Sequence, residues 1–295
     1  AIPYCIESYE NDFSSFRTQK DYMEEFSAFC QKVDTKYAIP FASNHCFLHK
    51  DTMRYNELAV NPKMIVPVFN EMKNKNNSNS QIVVMPPGSS WNSESNDFQI
   101  IDFDYDTQKY VTELNKKYEE KLKIQYKIEE STIANYNDFK SYFKKFIKSI
   151  PLFLKYKFKK PFIFHINDFE GEKFWEIDII KNTIKQRNDN MNESIQIKIP
   201  ALVLNDCTQI KMFSVWTASK RLSIKLPEKS DLKQLQNLFM YLDMFELERF
   251  PLYNNLKFRS LINISRRWRE MLTGLLFIIN YKVFKKELVI KDLYQ

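Results

Sequence analysis

Only three glycines, Gly88, Gly171 and Gly274, occur among the 295 residues of this chain, and they lie far apart. The dinucleotide-binding turn and the P-loop each need two or three glycines within about eight residues, because only then can the backbone approach a phosphate closely. No such cluster can be assembled from this sequence. Nucleotide-dependent chemistry of these two types is therefore excluded.

Helical and strand-like hydrophobic patterns alternate along the first third of the chain. Apolar residues recur at helical spacing over 14–34, and a second helix is expected over about 62–73. Short apolar runs at 37–41 and 81–85 predict buried strands, and a proline interrupts or follows each run. Alternating helices and strands predict an α/β architecture.

The rest of the chain has an α+β pattern. Long helices are predicted over about 108–123 and 134–154, whereas 89–107 shows no period and is expected to be irregular. Residues 161–179 predict a hairpin that turns near Gly171. Further strands are expected at 194–199, 222–226 and 281–290. Further helices are expected at 201–213 and 257–272.

Three short segments, taken in order, resemble one protein family. Residues 2–5 (Ile-Pro-Tyr-Cys) resemble the Pro-x-Cys segment that follows the fourth metal-ligand region in metallo-β-lactamase-fold proteins of the CMP-N-acetylneuraminate hydroxylase kind. Residues 37–43, with His49 and the Tyr-Asn pair at 55–56 after them, resemble that family's Pro-Phe-Ala turn beside the metal. The Pro-Gly-Ser-Ser run at 87–90 is similar to the turn that closes the family's domain.

This resemblance implies two domains. Residues 1–105 would form the C-terminal half of a metallo-β-lactamase-like αββα sandwich, and 106–295 an α+β accessory domain. Within the second part, the hairpin at 162–179 resembles a sterol-carrier-protein-like domain. The segments 219–222 and 266–270 look like C-terminal blocks that accompany bacterial relatives of the hydroxylase.

The chain departs from this family at the metal site. Family enzymes hold metal with a His-x-His-x-Asp-His segment, and the three histidines here, His45, His49 and His165, form no such segment. The resemblance then implies a fragment without its N-terminal metal-binding half, a site completed by a partner polypeptide, or a lost site. The parent would be a metal-dependent hydrolase or an oxygen-using hydroxylase of a small-molecule substrate. This chain alone is expected to be weak or inactive, and no catalytic residue is assigned.

His45, His49 and Asp51 are the predicted metal ligands. Two histidines spaced i, i+4 share one face of a helix, so both could reach one ion there. Asp51 is the nearest carboxylate in sequence, and two histidines with a carboxylate suit non-haem iron, while zinc takes three protein ligands and an open position. Zinc or iron is therefore expected in the complete protein. The alternative is that these are polar turn residues satisfied by backbone hydrogen bonds, and that this chain binds no metal.

The basic balance of the chain offers a second candidate site. The net charge of +7 is spread through Lys-rich helices, which is typical of a solvated surface. Arg266, Arg267 and Arg269 form the densest positive group and are the predicted anion- or substrate-binding residues, because guanidinium groups bind anions in a bidentate way. Pairing with nearby glutamates such as Glu270 is the alternative. Nucleic acid is not an expected partner, since no recognised motif accompanies the charge.

The remaining features favour a cytoplasmic protein. No signal peptide or membrane span is recognisable, the apolar run at 272–279 is too short to cross a bilayer and is expected in the core, and the four cysteines form no Cys-x-x-Cys pair. His165 is expected to be structural, and Cys46 is not expected to be a nucleophile.

The rival function is a non-enzymatic binding module for an apolar or acyl ligand, held by Phe-rich hairpins and helices, or for a protein partner.

Overall fold

The computed structural model describes residues 6–8, 19–33, 35–41, 46–58, 61–76, 78–189, 193–213, 221–257, 262 and 265–282. The helices, in chain order, are α1 (Gln19–Val33), α2 (Ile65–Asn76), α3 (Thr107–Glu130), α4 (Tyr136–Ser149), α5 (Leu152–Lys155), α6 (Ala201–Ile210), α7 (Leu232–Glu246) and α8 (Trp268–Lys282). The strands are β1 (Ile6–Ser8), β2 (Tyr37–Ala38), β3 (Gln81–Ile82), β4 (Ser90–Asn92), β5 (Asp97–Gln99), β6 (Phe162–Asp168), β7 (Gly171–Asp178), β8 (Thr183–Arg187), β9 (Ile195–Pro200) and β10 (Ser223–Leu226). The chain is a mixed α/β protein.

The chain divides into two compact units that are each discontinuous in sequence. One unit comprises 1–15 and 119–266, and the other comprises 16–118 and 267–295. Strand β1 joins the first unit because it pairs in parallel with β10, which lies more than 200 residues later. The domains expected from the sequence, 1–105 and 106–295, stay a prediction.

Within the described residues, a six-stranded sheet in the order β1-β10-β9-β6-β7-β8 organises the first unit. Strands β6, β7 and β8 form an antiparallel meander, as the predicted hairpin required. Strand β9 returns parallel to β6, and β10 runs antiparallel to β9. The sheet is therefore mixed, with its longest strands in the middle.

Aromatic rings fill the space between this sheet and α4. The buried face of α4 carries Phe139 and Phe143, both completely shielded from solvent. The Phe143 ring lies 5.3 Å from that of Phe164 on β6 and 5.2 Å from that of Phe213, measured between centroids. Rings at this spacing are in contact, and each contributes a large apolar area to the core.

Both ends of α4 are fixed by local chemistry. Asn135 caps its first turn, since its Oδ1 accepts hydrogen bonds from the N–H groups of Asn137 and Asp138. At the other end, Pro151 lacks a donor N–H and separates α4 from the short α5. The helix predicted over 134–154 is therefore two helices, and the break sets the direction of the residues that follow.

The second unit is built on smaller elements. Helix α1 packs on α2, and Cys30, Ala38 and Phe69 form a buried cluster. Strand β2 pairs in parallel with β3, and β4 forms a hairpin with β5 in which the rings of Trp91 and Phe98 stack at 5.9 Å.

Several sequence predictions were wrong about secondary structure. The stretch 89–107, expected to be irregular, contains the β4–β5 hairpin, and neither β8 nor α7 was predicted. Of the helix expected over 257–272, Ile262, Ser265 and Arg266 are helical, and α8 continues beyond the expected end to Lys282. Residues 281–282 are consequently helical instead of beginning the expected strand at 281–290, and the rest of that strand lies outside the described residues.

Candidate functional site

The predicted metal site is described in part, because His45 lies outside the described residues. His49 sits in a turn that precedes a short 3-10 helix, Met53–Leu58. Its carbonyl oxygen accepts hydrogen bonds of 2.9 Å from the N–H groups of Thr52 and Met53. Since this segment is a turn at His49, the helical face that would have aligned two histidines at i and i+4 is not formed there.

His49 and Asp51 are in contact, but through the Nδ1 side of the imidazole. The backbone N–H of Asp51 donates to His49 Nδ1 at 3.2 Å, and the Oδ2 atom of Asp51 lies 3.5 Å from the same nitrogen. In a neutral ring this arrangement puts the proton on Nε2. If Nε2 bound a metal, the ring proton would lie on Nδ1, and Asp51 Oδ2, 3.5 Å away, could accept a hydrogen bond from it. Asp51 would then orient the ligand rather than bind the ion.

The turn that carries His49 is held by neighbouring side chains. Asn56 binds both backbone polar groups of Phe47, accepting from its N–H at 2.7 Å and donating to its carbonyl oxygen at 2.8 Å. Tyr55 is buried, and its ring meets the Phe47 ring edge-on. Burial raises the pKa of the Cys46 thiol, which disfavours the thiolate that a nucleophile needs.

No group of three or more His, Cys, Asp and Glu side chains placed to hold a metal occurs among the residues described. Metal binding by His45, His49 and Asp51 stays a prediction.

Two of the predicted anion-binding arginines, Arg266 and Arg267, directly precede α8, and Arg269 lies in its first turn; all three are exposed to solvent. Arg267 Nε donates to Glu270 Oε2 at 2.8 Å, and this hydrogen bond raises the pKa of Arg267. The guanidinium of Arg269 lies 5.6 Å from the centre of the Trp268 ring. The structure therefore shows the expected glutamate pairing for one arginine, while anion binding by Arg266, Arg267 and Arg269 stays a prediction.

Three leucines of the apolar run at 272–279 are exposed, in contrast to the core position expected for that run. Leu272, Leu275 and Leu276 are each about half exposed, as are Trp268 and Met271. These residues recur at spacings of three and four, so they form one stripe along the helix.

His165 makes contacts typical of a structural histidine. Its Nε2 atom lies 3.1 Å from Glu172 Oε1, and its ring centroid is 4.6 Å from that of Phe174. Burial lowers the pKa of His165, and the nearby Glu172 carboxylate opposes this shift only in part.

A basic segment that the sequence analysis missed surrounds the end of α4. Residues 139–167 contain no Asp or Glu. They contain eight lysines, namely Lys140, Lys144, Lys145, Lys148, Lys155, Lys157, Lys159 and Lys160. The whole chain has 44 basic and 37 acidic residues, so the part outside this segment has 36 and 37, which nearly cancel. Counting charge by segment instead of over the whole chain would have found it.

Exposed lysines flank a group of exposed apolar side chains along the sequence. Lys144, Lys145 and Lys148 lie on the face of α4 opposite its buried rings, and none of them forms an ion pair with a described carboxylate. After Pro151, three apolar side chains project into solvent: Leu152 (74% exposed), Phe153 (65%) and Tyr156 (76%). We define the α4–α5 surface as the exposed residues Lys144, Lys145, Lys148, Leu152, Phe153, Tyr156, Lys157 and Lys159.

Buried neighbours hold the α4–α5 surface in place. Lys155 is buried, and its ammonium donates to Asn182 Oδ1 in the turn between β7 and β8. Burial lowers the pKa of Lys155. Phe158 is also buried, with its ring centroid 5.9 Å from Phe162 and 5.7 Å from Tyr241. The exposed and buried residues of this segment therefore alternate along one ordered backbone.

No protein-family model, no curated protein and no solved structure matches this chain. None of the described helices combines the length and the apolar character needed to cross a membrane.

Proposed function

We propose that this chain is a non-enzymatic binding module for an anionic amphiphile, a molecule that joins an acyl chain to a negatively charged headgroup. The observation that carries this proposal is the α4–α5 surface, where exposed apolar side chains belong to a segment that contains eight lysines and no Asp or Glu.

Both parts of such a ligand, the acyl chain and the headgroup, would contribute favourably to binding at this surface. Removing a Leu or Phe side chain from water contributes about 1.5–3 kcal/mol. An anionic headgroup gains attraction from Lys144, Lys145 and Lys148, which form no ion pair with a described carboxylate, so no such pair must be broken first. The rings beneath α4 already contact one another, so the proposed ligand lies on the outer surface instead of among the core rings that the sequence suggested.

Calorimetric titration with monomeric dodecyl phosphate, kept below its micelle concentration, tests this proposal. We expect saturable binding that is absent with the neutral headgroup of dodecyl maltoside. Phe153→Ser should weaken it about tenfold, because the loss of one buried aromatic side chain is on the order of 1.5 kcal/mol or more. Ile124→Ser is the matched control, since Ile124 is 59% exposed on α3 and is not part of the basic segment. Equal binding of both detergents, or no effect of Phe153→Ser, would contradict the proposal.

A second candidate function is favoured by the contact between His49 and Asp51. In this proposal the chain is part of a metal-dependent hydrolase or hydroxylase, and residues 1–105 complete a metallo-β-lactamase-like αββα sandwich. His49 binds zinc or iron through Nε2 while Asp51 Oδ2 accepts a hydrogen bond from Nδ1–H. The remaining ligands come from an N-terminal half or a partner polypeptide, and the chain alone stays inactive.

Metal content after loading with zinc or ferrous iron, measured by mass spectrometry of the elements, tests this second candidate. His49→Ala should abolish specific uptake. Asp51→Asn should weaken it about tenfold or more, as loss of an orienting partner usually does. His165→Ala serves as control because His165 pairs with Glu172 on the sheet. Unchanged uptake by His49→Ala, or robust metal-dependent turnover by this chain alone, would overturn this candidate.

A further inference from the structure

We propose that the α4–α5 surface docks the protein on an anionic lipid bilayer. This inference rests on the proposed function and names the ligand of the same surface: the bilayer as a whole, not a single amphiphile taken from it.

The shape of the apolar group favours a bilayer. Leu152, Phe153 and Tyr156 lie within five residues, and each is exposed by about two-thirds or more. Side chains that project this far cover only one side of a single acyl chain, whereas concave binding sites surround most of a small ligand. Projecting side chains are instead covered when they enter the boundary between headgroups and acyl chains, where many lipids surround them.

The charge around the apolar group matches an anionic surface. Lys144, Lys145 and Lys148 precede it, Lys157 and Lys159 follow it, and all five are exposed. Each lysine that approaches an anionic bilayer strengthens binding about fivefold. A lysine keeps its ammonium among the headgroups while its carbon stem lies against apolar surface.

The backbone of this segment is already held in place, which lowers the conformational entropy lost on docking. The buried contacts of Lys155 and Phe158 already fix the backbone on both sides of Tyr156. A surface that is rigid before it binds loses less conformational entropy on binding. Tyr156 also suits the interface itself, because a phenol has an apolar ring and a polar tip.

Single-stranded nucleic acid also binds lysines and rings, but the apolar group here fits lipid better. Sequence-tolerant nucleic-acid binding relies on bases stacked on successive aromatic rings. Leu152 offers no ring, and it is among the most exposed of the apolar side chains. Nucleic-acid binding is therefore an outcome of the test and not the proposal.

Co-sedimentation of the full chain with vesicles tests the inference. We expect binding to phosphatidylcholine vesicles that contain phosphatidylserine, and little binding to phosphatidylcholine alone. The double variant Lys144→Gln, Lys145→Gln should weaken binding about fivefold for each lysine removed, and added salt should weaken it further. Phe153→Ser should weaken it about tenfold.

Helix α3 supplies matched controls for both changes. Lys116→Gln with Lys117→Gln removes another adjacent pair of exposed lysines, and Ile124→Ser removes another exposed apolar side chain. Neither control should change vesicle binding. All substituted side chains are exposed, and circular dichroism checks that every variant remains folded.

Each outcome separates this inference from the proposed function. Binding to dodecyl phosphate without binding to phosphatidylserine vesicles would overturn the bilayer inference and leave the proposed function standing. Binding to neither would overturn both. The α3 control variants could weaken vesicle binding as much as the α4–α5 variants do. Binding would then depend on the general charge of the chain and not on this surface, and the inference would be overturned. A single-stranded oligonucleotide that binds through the same residues, with no vesicle binding, would also overturn it.

Discussion

Two lysine-rich helices of this chain, α3 and α4, differ in what accompanies their lysines. Helix α3 carries six lysines and five glutamates over 24 residues, and none of its residues is buried. Helix α4 carries four lysines and a single acid, Asp138, in its first turn, and six of its 14 residues are buried. On α3 the Lys123 ammonium lies 2.8 Å from Glu119 and 3.0 Å from Glu120.

The difference shows that the number of lysines does not decide whether a surface attracts anions. On α3 opposite charges lie within one helical turn, well inside the Debye length of about 8–10 Å, so their fields largely cancel. Between Lys140 and Lys148 of α4 no acid intervenes, so the lysine charges add there, whereas Lys160 after the helix pairs with Glu228 and Asp231. Helix α4 also has a buried face that fixes which way these lysines point. The proposal for the α4–α5 surface depends on both properties.

The largest expected effect concerns the buried face of α4, a feature that α3 lacks. Phe143→Ala should lower the free energy of unfolding by about 3–5 kcal/mol, because it removes a fully buried ring and leaves a cavity. Tyr110→Ala, an aromatic truncation at an exposed position of α3, should cost about 0.5 kcal/mol or less. Equilibrium denaturation measures both, and equal losses would break the comparison between the helices.

The next effect concerns Glu129, an α3 glutamate whose ion-pair partner lies outside the helix. Glu129 forms a two-pronged ion pair with Arg221, with N–O distances of 2.6 and 2.8 Å and both side chains only 11% exposed. Arg221→Gln should destabilise the protein by about 3 kcal/mol, since it leaves a largely buried carboxylate without its partner. Denaturation of Lys225→Gln, an exposed cation on β10, provides the control. A loss no larger than the control's would mean that α3 is not anchored through Glu129.

A smaller and pH-dependent effect concerns Tyr142 on α4. Its hydroxyl donates to Glu246 Oε1 at 2.6 Å, and burial together with this carboxylate raises the pKa of Tyr142 above its usual value of 10.0. Because the folded state keeps Tyr142 neutral, the stabilisation is present below pH 10 and is lost as rising pH ionises the tyrosine of the unfolded chain. Tyr142→Phe should cost about 2 kcal/mol at neutral pH and should flatten the decline of stability above pH 10.

The control for this pH dependence is Tyr110→Phe on α3. Tyr110 is exposed, so its replacement should leave the alkaline decline unchanged. A decline that persists in full in Tyr142→Phe would show that another group causes it.

The smallest expected effect is at the surface of α3. Lys123→Gln breaks the ion pairs with Glu119 and Glu120, yet all three side chains are more than half exposed, so no measurable change in stability is expected. Its effect should instead be electrostatic: it leaves α3 more acidic and should not alter lipid binding. A clear loss of stability in thermal unfolding would show that the charge balance of α3 holds the helix itself.

Part of the fold could be predicted because its elements carry their own pattern. Helices α1, α2 and α3 and the β6–β7 hairpin follow from local hydrophobic period and turn residues. Strand β8 was missed because it lies at the edge of the sheet and its Thr-Ile-Lys-Gln-Arg sequence has too few apolar residues to alternate. Its strand conformation depends on pairing with β7.

The candidate metal site shows a similar limit. A spacing of i, i+4 brings side chains together only on a helix, and the backbone at His49 is a turn. The contact of Asp51 with Nδ1 could not be read from the sequence, because two residues in a turn meet only through particular backbone angles. Whether His45, His49 and Asp51 hold an ion stays open to the metal measurement proposed above.

The sequence by itself determined two properties of this protein. Three isolated glycines exclude the common phosphate-binding loops, and a segment of 29 residues without an acid contains eight lysines. Only the tertiary structure decided which apolar residues of that segment face solvent. Leu152 and Phe153 have the same chemistry as Leu154 and Phe158, but Phe158 is buried because it meets Tyr241, more than 80 residues later. Exposure depends on partners that are distant in sequence, and no local pattern records them.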